Sequence, residues 1–132
     1  MYQLAVYGDV VEEVARELDQ VLARARAAGI ADRSVILDPG FGFAKKAEHS
    51  AALLGHFDAL ARLDRPLLSG PSRKSFLQAA IGERPPAQRE WATAAAVTAS
   101  VLFGAHIVRV HGVREMVDVV RAADLIRSAR EA

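Results

Sequence analysis

Three short apolar runs, Val35-Ile36-Leu37, Pro66-Leu67-Leu68 and Ile107-Val108-Arg109-Val110, alternate with amphipathic helical patterns, and each ends in a turn rich in glycine, proline or polar side chains. That alternation leaves few architectures open. A brief run bounded by turn residues reads as a strand buried on both faces. Strands separated by helices read as parallel βαβ units with right-handed crossovers. Such sheets collect their chemistry at the C-terminal ends of the strands, so function is to be sought in the turns that follow the three runs.

The remainder of the chain fits this pattern. Asp9 can cap a helix running to about residue 28, with Val10, Val14, Leu18, Val21 and Leu22 on its apolar face and Gly29 as its stop. Further helices are predicted over 48–63, carrying Leu53, Leu54, Phe57 and Leu60, and over 73–81, 89–103 and 113–128, with a polar, proline-rich loop over 82–88. At 132 residues the chain suits one domain, 1–132, and its 52% hydrophobic content can fill a core, although much of it is alanine. The net charge is +1 with cations and anions interspersed, which excludes a nucleic-acid footprint and a polybasic membrane patch. Cysteine is absent, which excludes disulfides and thiolate metal sites. The longest apolar stretch, 92–105, is interrupted by Thr93, Thr98, Ser100 and Gly104 and falls short of the roughly 20 residues of a membrane span. It reads as a buried, alanine-rich helix. No basic segment followed by an apolar one opens the sequence, so the cytoplasm is the default location.

The first turn is Asp38-Pro39-Gly40-Phe41-Gly42, followed by Phe43. A carboxylate at a strand end points into the crevice where α/β proteins bind ligands. Pro39 fixes φ and removes a donor, while Gly40 and Gly42 admit dihedrals and close approaches that a side chain would forbid. Taken alone, the segment is equally well read as an ordinary turn with a capping Asp and a core Phe. The second turn is Ser69-Gly70-Pro71-Ser72-Arg73-Lys74-Ser75. Ser72 is a natural N-cap, and Arg73 and Lys74 beside a helix N-terminus favour an anionic or carbonyl-rich ligand. In the third, Arg109 and His111 lie two residues apart and so on one face of a strand. An Arg in an apolar strand calls for a bound anion or a buried carboxylate, and beside it His111 becomes a candidate anion donor.

Together, in this order and spacing, Asp38-Pro39-Gly40-Phe41-Gly42-Phe43, Gly70-Pro71-Ser72-Arg73-Lys74-Ser75 and Val108-Arg109-Val110-His111 resemble the C-terminal half of the bacterial dihydropteroate synthases. The resemblance extends from about Tyr7-Gly8-Asp9-Val10-Val11 to nearly the end of the chain. It implies a (β/α)8 barrel, of which about three parallel strands and their helices are represented here. The implied activity is condensation of 6-hydroxymethyl-7,8-dihydropterin diphosphate with p-aminobenzoate, giving dihydropteroate and diphosphate in folate synthesis. By the same resemblance Asp38 binds the pterin ring, and Lys74 contacts the pterin carbonyl and the aminobenzoate pocket, which Gly42 and Phe43 help to line. Ser75 meets the aminobenzoate carboxylate and Arg73 supports that face; Arg109 and His111 hold the departing diphosphate. Lys74, Arg109 and His111 are the catalytic candidates. Magnesium is implied too, with its protein ligand expected in the family's N-terminal half.

Elementary chemistry is compatible with those roles. A pterin presents a donor edge that a carboxylate can accept at two points, and an arylamine is nucleophilic without a catalytic Ser or Cys. Preplaced cations stabilise charge as it builds on a leaving diphosphate. The resemblance suggests a dissociative displacement through a cationic pterin.

Several positions depart from the family pattern. Gly112 stands where the family often has Asp, which removes a partner able to fix the tautomer of His111. Trp91-Ala92-Thr93 stands where the family has a small Gly, a change expected to act on packing. A complete barrel takes about 250 residues. The family's first strands, its two N-terminal loops, and the Asn and Asp residues that complete the pterin and diphosphate sites have no counterpart, and Met1-Tyr2-Gln3 begins where a fifth helix would. The expectation is a half-barrel from a partial gene, a split gene or an assembly artefact, inactive alone. Its open strand edges favour association, as a homodimer or with a separately supplied N-terminal half. Two other readings remain open: a pterin-dependent methyltransferase, which a corrinoid partner would reveal, and a non-catalytic interaction fragment.

Overall fold

The first helix forms where its caps direct it. In the computed structural model, which describes residues 9–131, the Asp9 carboxylate accepts the Glu12 N–H at 3.2 Å and opens α1, Val10–Ala27. Glu12 and Glu13 in the first turn and Arg24 and Arg26 in the last complement the helix dipole. Gly29, at φ +89°, ends it. Val10, Val14, Ala15 and Leu22 are buried, which leaves Val21 at the edge of the stripe and 46% exposed, contrary to its expected place on the apolar face. Tyr7 and Gly8, where the family resemblance begins, and Met1-Tyr2-Gln3 lie outside the described residues.

The strands are shorter than expected. β1, Leu68–Ser69, pairs in parallel with β2, Ile107–Val108, in the register Leu68↔Ile107 and Ser69↔Val108. Flanking bonds extend the ladder, from His106 N–H to the Leu67 carbonyl and from Arg109 N–H to that of Ser69, each 2.9 Å. The run at 35–37 contracts to one bridge, Leu37 to Leu67, closed by Leu37 N–H to the Pro66 carbonyl at 2.9 Å and Leu68 N–H to that of Leu37 at 2.8 Å. Three parallel segments therefore lie side by side, but only two are strands. Ile36 turns outward, 50% exposed, so of its run only Leu37 is fully buried, with Val35 packed partly buried against the core.

The helix predicted over 48–63 is two pieces. α2, Ala47–Gly55, stops at Gly55, a poor helix former, and after His56 the chain continues as a 3₁₀ turn, Phe57–Leu63. The tighter coil has three residues per turn, so Phe57, Leu60 and Leu63 still share one face. Phe57 and Leu60 are buried and Leu63 packs on the core beside them. The segment predicted as a helix over 73–81 is likewise a 3₁₀ turn, Ser75–Leu77, followed by the four residues of α3, Gln78–Ile81. Ser72 does not cap it, because Arg73, at φ +58°, intervenes outside helical space.

α4, Glu90–Leu102, buries Thr93, Ala96, Val97, Ser100 and Val101 and packs against α5, Val113–Glu131. Ser100 donates to the Ala96 carbonyl at 2.7 Å, which leaves its oxygen to accept from Ser69, 2.8 Å away on β1. Within the Trp91-Ala92-Thr93 departure, Trp91 is 91% exposed and packs little, whereas Thr93 is fully buried. No described helix is long and apolar enough to cross a membrane.

Three phenylalanines organise the centre. The buried Phe41 ring lies 6.1 Å from Phe57 and 5.9 Å from Phe76, centroid to centroid. Phe41 belongs to the turn after the 35–37 run and Phe76 to the turn after β1, so one aromatic stack fastens two strand-end loops to the same core.

Candidate functional site

The loop after Leu37 is wound tightly. Gly40, Gly42 and Ala44 have φ of +74°, +82° and +51°. The Asp38 carboxylate accepts the Gly40 N–H at 2.9 Å, and the Gly42 N–H donates to the buried Ser50 hydroxyl at 3.0 Å. A Cβ on Gly42 would meet only ordinary contact, 3.5 Å from Lys74 Cδ, so its dihedral, not its space, requires glycine. Lys45 fills the loop from beneath. Its ammonium is inside a residue only 6% exposed and donates to the Gly40 and Phe43 carbonyls, each at 3.0 Å. Burial lowers its pKa, against the raising influence of Glu17 and Asp38.

Lys74 leaves the loop after β1 and crosses to this one. Its Nζ donates to the Phe41 carbonyl at 3.0 Å and lies 4.4 Å from the centroid of Phe43, a half-exposed ring. Burial lowers the Lys74 pKa first; Asp38 raises it and Arg109 lowers it further. Those two influences put groups from all three strand ends within one electrostatic neighbourhood. Gly42, Lys45, Ser75 and Phe76 share a cavity of about 290 Å³. Ser75 thus borders the loop that carries Phe43, and is exposed.

Arg73 is turned into a scaffold. Its backbone N–H donates to Thr93 Oγ1 at 3.0 Å, its Nε donates to Glu90 Oε1 at 2.6 Å, and its carbonyl accepts from Arg89 Nη1 at 2.7 Å. Arg89 is itself buried and also bonds the Arg84 carbonyl. These clamps hold a non-glycine residue in left-handed space, which costs about 1–2 kcal/mol.

Arg109 and His111 both lie just beyond β2. Arg109 is exposed, and among the described residues its guanidinium forms no ion pair, so of the two partners expected, a bound anion or a buried carboxylate, the carboxylate is not there. Gly70 lies beside it, where a Cβ would meet Arg109 Cβ only in ordinary contact, at 3.9 Å. His111 is held by Ser72, whose Oγ lies 2.7 Å from Nδ1 and accepts the His111 backbone N–H at 3.1 Å. The tautomer of His111 therefore has a partner, although Gly112 supplies none. At Gly112 any Cβ would stand 2.8 Å from Glu90 Oε2 and 3.2 Å from Glu115 Oε2, so the space a side chain at 112 would take is already filled by carboxylates.

Four supporting residues escaped the sequence reading. Lys45 looks like half of a solvated Lys-Lys pair, and Ser72 looks like a cap; Glu90 and Arg89 reach Arg73 across 17 and 16 residues of sequence. Among the described residues no group of three or more His, Asp or Glu is arranged to hold a metal ion.

A family profile described as "Pterin binding enzyme" matches residues 1–111. The folic acid synthesis protein fol1 of Schizosaccharomyces pombe is 48% identical over 96% of this chain and 18% of its own length. The dihydropteroate synthase of Escherichia coli K12 is 39% identical over 99% of this chain and 46% of its own. The solved dihydropteroate synthase of Xanthomonas albilineans in complex with 7,8-dihydropteroate superposes with a TM-score of 0.89 at 37% identity, over 92% of this chain and 47% of that one. The chain thus spans less than half the length of each, and its two-stranded parallel sheet with flanking helices corresponds to part of their barrel. With its motifs, backbone and sequence aligned to one group of proteins, the chain belongs to the pterin-binding enzyme family.

Proposed function

We propose that this chain forms the pterin-, aminobenzoate- and leaving-group-binding side of a dihydropteroate synthase. The observation that carries the reading is that Lys74 lies over Phe43 and feels the charges of Asp38 and Arg109, groups from three different parallel segments. Asp38 accepts from the donor edge of the pterin. Lys74, anchored on the Phe41 carbonyl, donates to the pterin carbonyl, and Phe43 gives the aminobenzoate ring an apolar wall. Gly42 and Ser75 border the cavity on that side, where Ser75 meets the carboxylate.

In the reaction the bond between the pterin methylene and the diphosphate oxygen breaks, and the oxygen keeps the electron pair. The arylamine lone pair forms the new C–N bond, and the amine then loses a proton. Negative charge grows on the leaving group, where Arg109 offers a bidentate fork and His111 an N–H. Arg73 bears on the site through its loop and through Glu90.

The partner in this reading is a polypeptide carrying the strands and loops for which the chain has no counterpart. It would pair along the open edge of β2, beside a groove of about 630 Å³ lined by Val108, Val110, Val113, Met116 and Val120. The test is complementation. The chain mixed with a separately expressed N-terminal half of a family member should form dihydropteroate from the diphosphate and p-aminobenzoate, whereas the chain alone should not. A mixture that assembles yet makes no product, or that instead methylates a corrinoid protein, would sink the reading.

A further inference from the structure

Ser72 sits between the ends of β1 and β2 with only 4% of its surface exposed. Its hydroxyl oxygen accepts the His111 backbone N–H at 3.1 Å and lies 2.7 Å from His111 Nδ1, across 39 residues of sequence. A hydroxyl has a single proton, and a buried one left without an acceptor is costly. Among the described residues His111 Nδ1 is the acceptor within reach. The proton therefore points at Nδ1, which must present its lone pair, and a neutral imidazole then carries its hydrogen on Nε2.

We infer that Ser72 is a positioning residue that makes His111 an N–H donor at Nε2. The arrangement survives protonation. An imidazolium has hydrogens on both nitrogens, and Ser72 can rotate to accept from Nδ1–H while Nε2–H stays as it was. A carboxylate in the same place would act oppositely, because it would draw the neutral ring's hydrogen to Nδ1 and leave a lone pair on Nε2. A lone pair there repels an anion and an N–H attracts one. This inference rests on the proposed function for the identity of that anion, the diphosphate shared by Arg109 and His111, but its geometry stands apart from it.

The test uses the full chain labelled with ¹⁵N. Long-range proton–nitrogen NMR correlations at a pH where His111 is neutral should show the Nε2–H tautomer in the wild type. Ser72→Ala should yield a mixture of tautomers and bind inorganic diphosphate about two- to tenfold more weakly by calorimetry, the range expected for one hydrogen bond. Ser72→Thr, which restores a hydroxyl, should recover both signals. An Nδ1–H tautomer in the wild type, a measurement that needs no variant to fold, would overturn the inference, as would an unchanged tautomer in Ser72→Ala. An Nε2–H wild type that takes up no diphosphate would uphold the role of Ser72 and count against the anion assignment alone.

Discussion

Lys45→Met removes the ammonium beneath the first loop and keeps most of the aliphatic stem. The Gly40 carbonyl retains a partner, the Phe43 N–H at 3.1 Å, but among the described residues the Phe43 carbonyl receives its hydrogen bond from Lys45. One orphaned, partly buried carbonyl costs about 1–3 kcal/mol, and relief of the buried charge offsets part of that. The expected loss of stability is about 1–2 kcal/mol at neutral pH, read by urea unfolding. Far-UV circular dichroism is the appropriate signal, since Trp91 is nearly fully exposed and its fluorescence reports little of the core. The pH dependence supplies a second reading. The folded-state pKa of Lys45 is lowered from 10.5, so between that lowered value and 10.5 the unfolded chain binds more protons, and stability rises with pH across this window. Lys74 contributes a slope of the same sign, so the difference between wild type and Lys45→Met isolates the contribution of Lys45. A variant within about 0.5 kcal/mol of wild type, with an unchanged alkaline slope, would refute the claim that Lys45 supports the loop.

Gly112→Asp places a Cβ 2.8 Å from Glu90 Oε2, so Glu90 must swing away from Arg73; a loss of about 1–3 kcal/mol is expected in chemical denaturation. Glu90→Gln in the same chain should soften the added repulsion, and strictly additive losses would argue against coupling. Ala44→Gly relieves a left-handed φ of +51° and should raise stability by about 0.5–1 kcal/mol, seen as a higher urea midpoint. In the complemented enzyme, Arg109→Ala should lower turnover about 10²- to 10³-fold and Arg109→Lys should recover little of it, because an ammonium lacks the planar fork. Near-normal steady-state rates for Arg109→Ala would exclude Arg109 from the reaction.

The order of helices and parallel segments was legible because burial leaves a periodic trace: 3.6-residue stripes in α1 and short apolar runs before the turns. Its details were lost where two geometries leave the same trace. Leu53, Phe57 and Leu60 fit one face of a continuous α-helix and equally a helix followed by a 3₁₀ turn, so the break at Gly55 and His56 was concealed. Ser72 is compatible with both a cap and a turn, and only the fold brings His111 to it. The left-handed Arg73 leaves no local signature at all, since Arg89, Glu90 and Thr93 hold it from a distant helix and its approach. The site's charged groups stood out because they are polar residues at strand ends. Their supports, Lys45 above all, resemble ordinary surface charges until burial is known.

The stack of Phe41 between Phe57 and Phe76 has a mechanical consequence. Phe41 inserts its ring into the core and, through its own carbonyl, anchors the Lys74 ammonium. The two strand-end loops are thereby held to one another through a single residue. Their relative spacing is set when the chain folds, so under the proposed function a flat heteroaromatic ring between Asp38 and Lys74 would meet walls that need not be brought together afterwards. A smaller residue at position 41 would therefore loosen the spacing of the two loops from within the core.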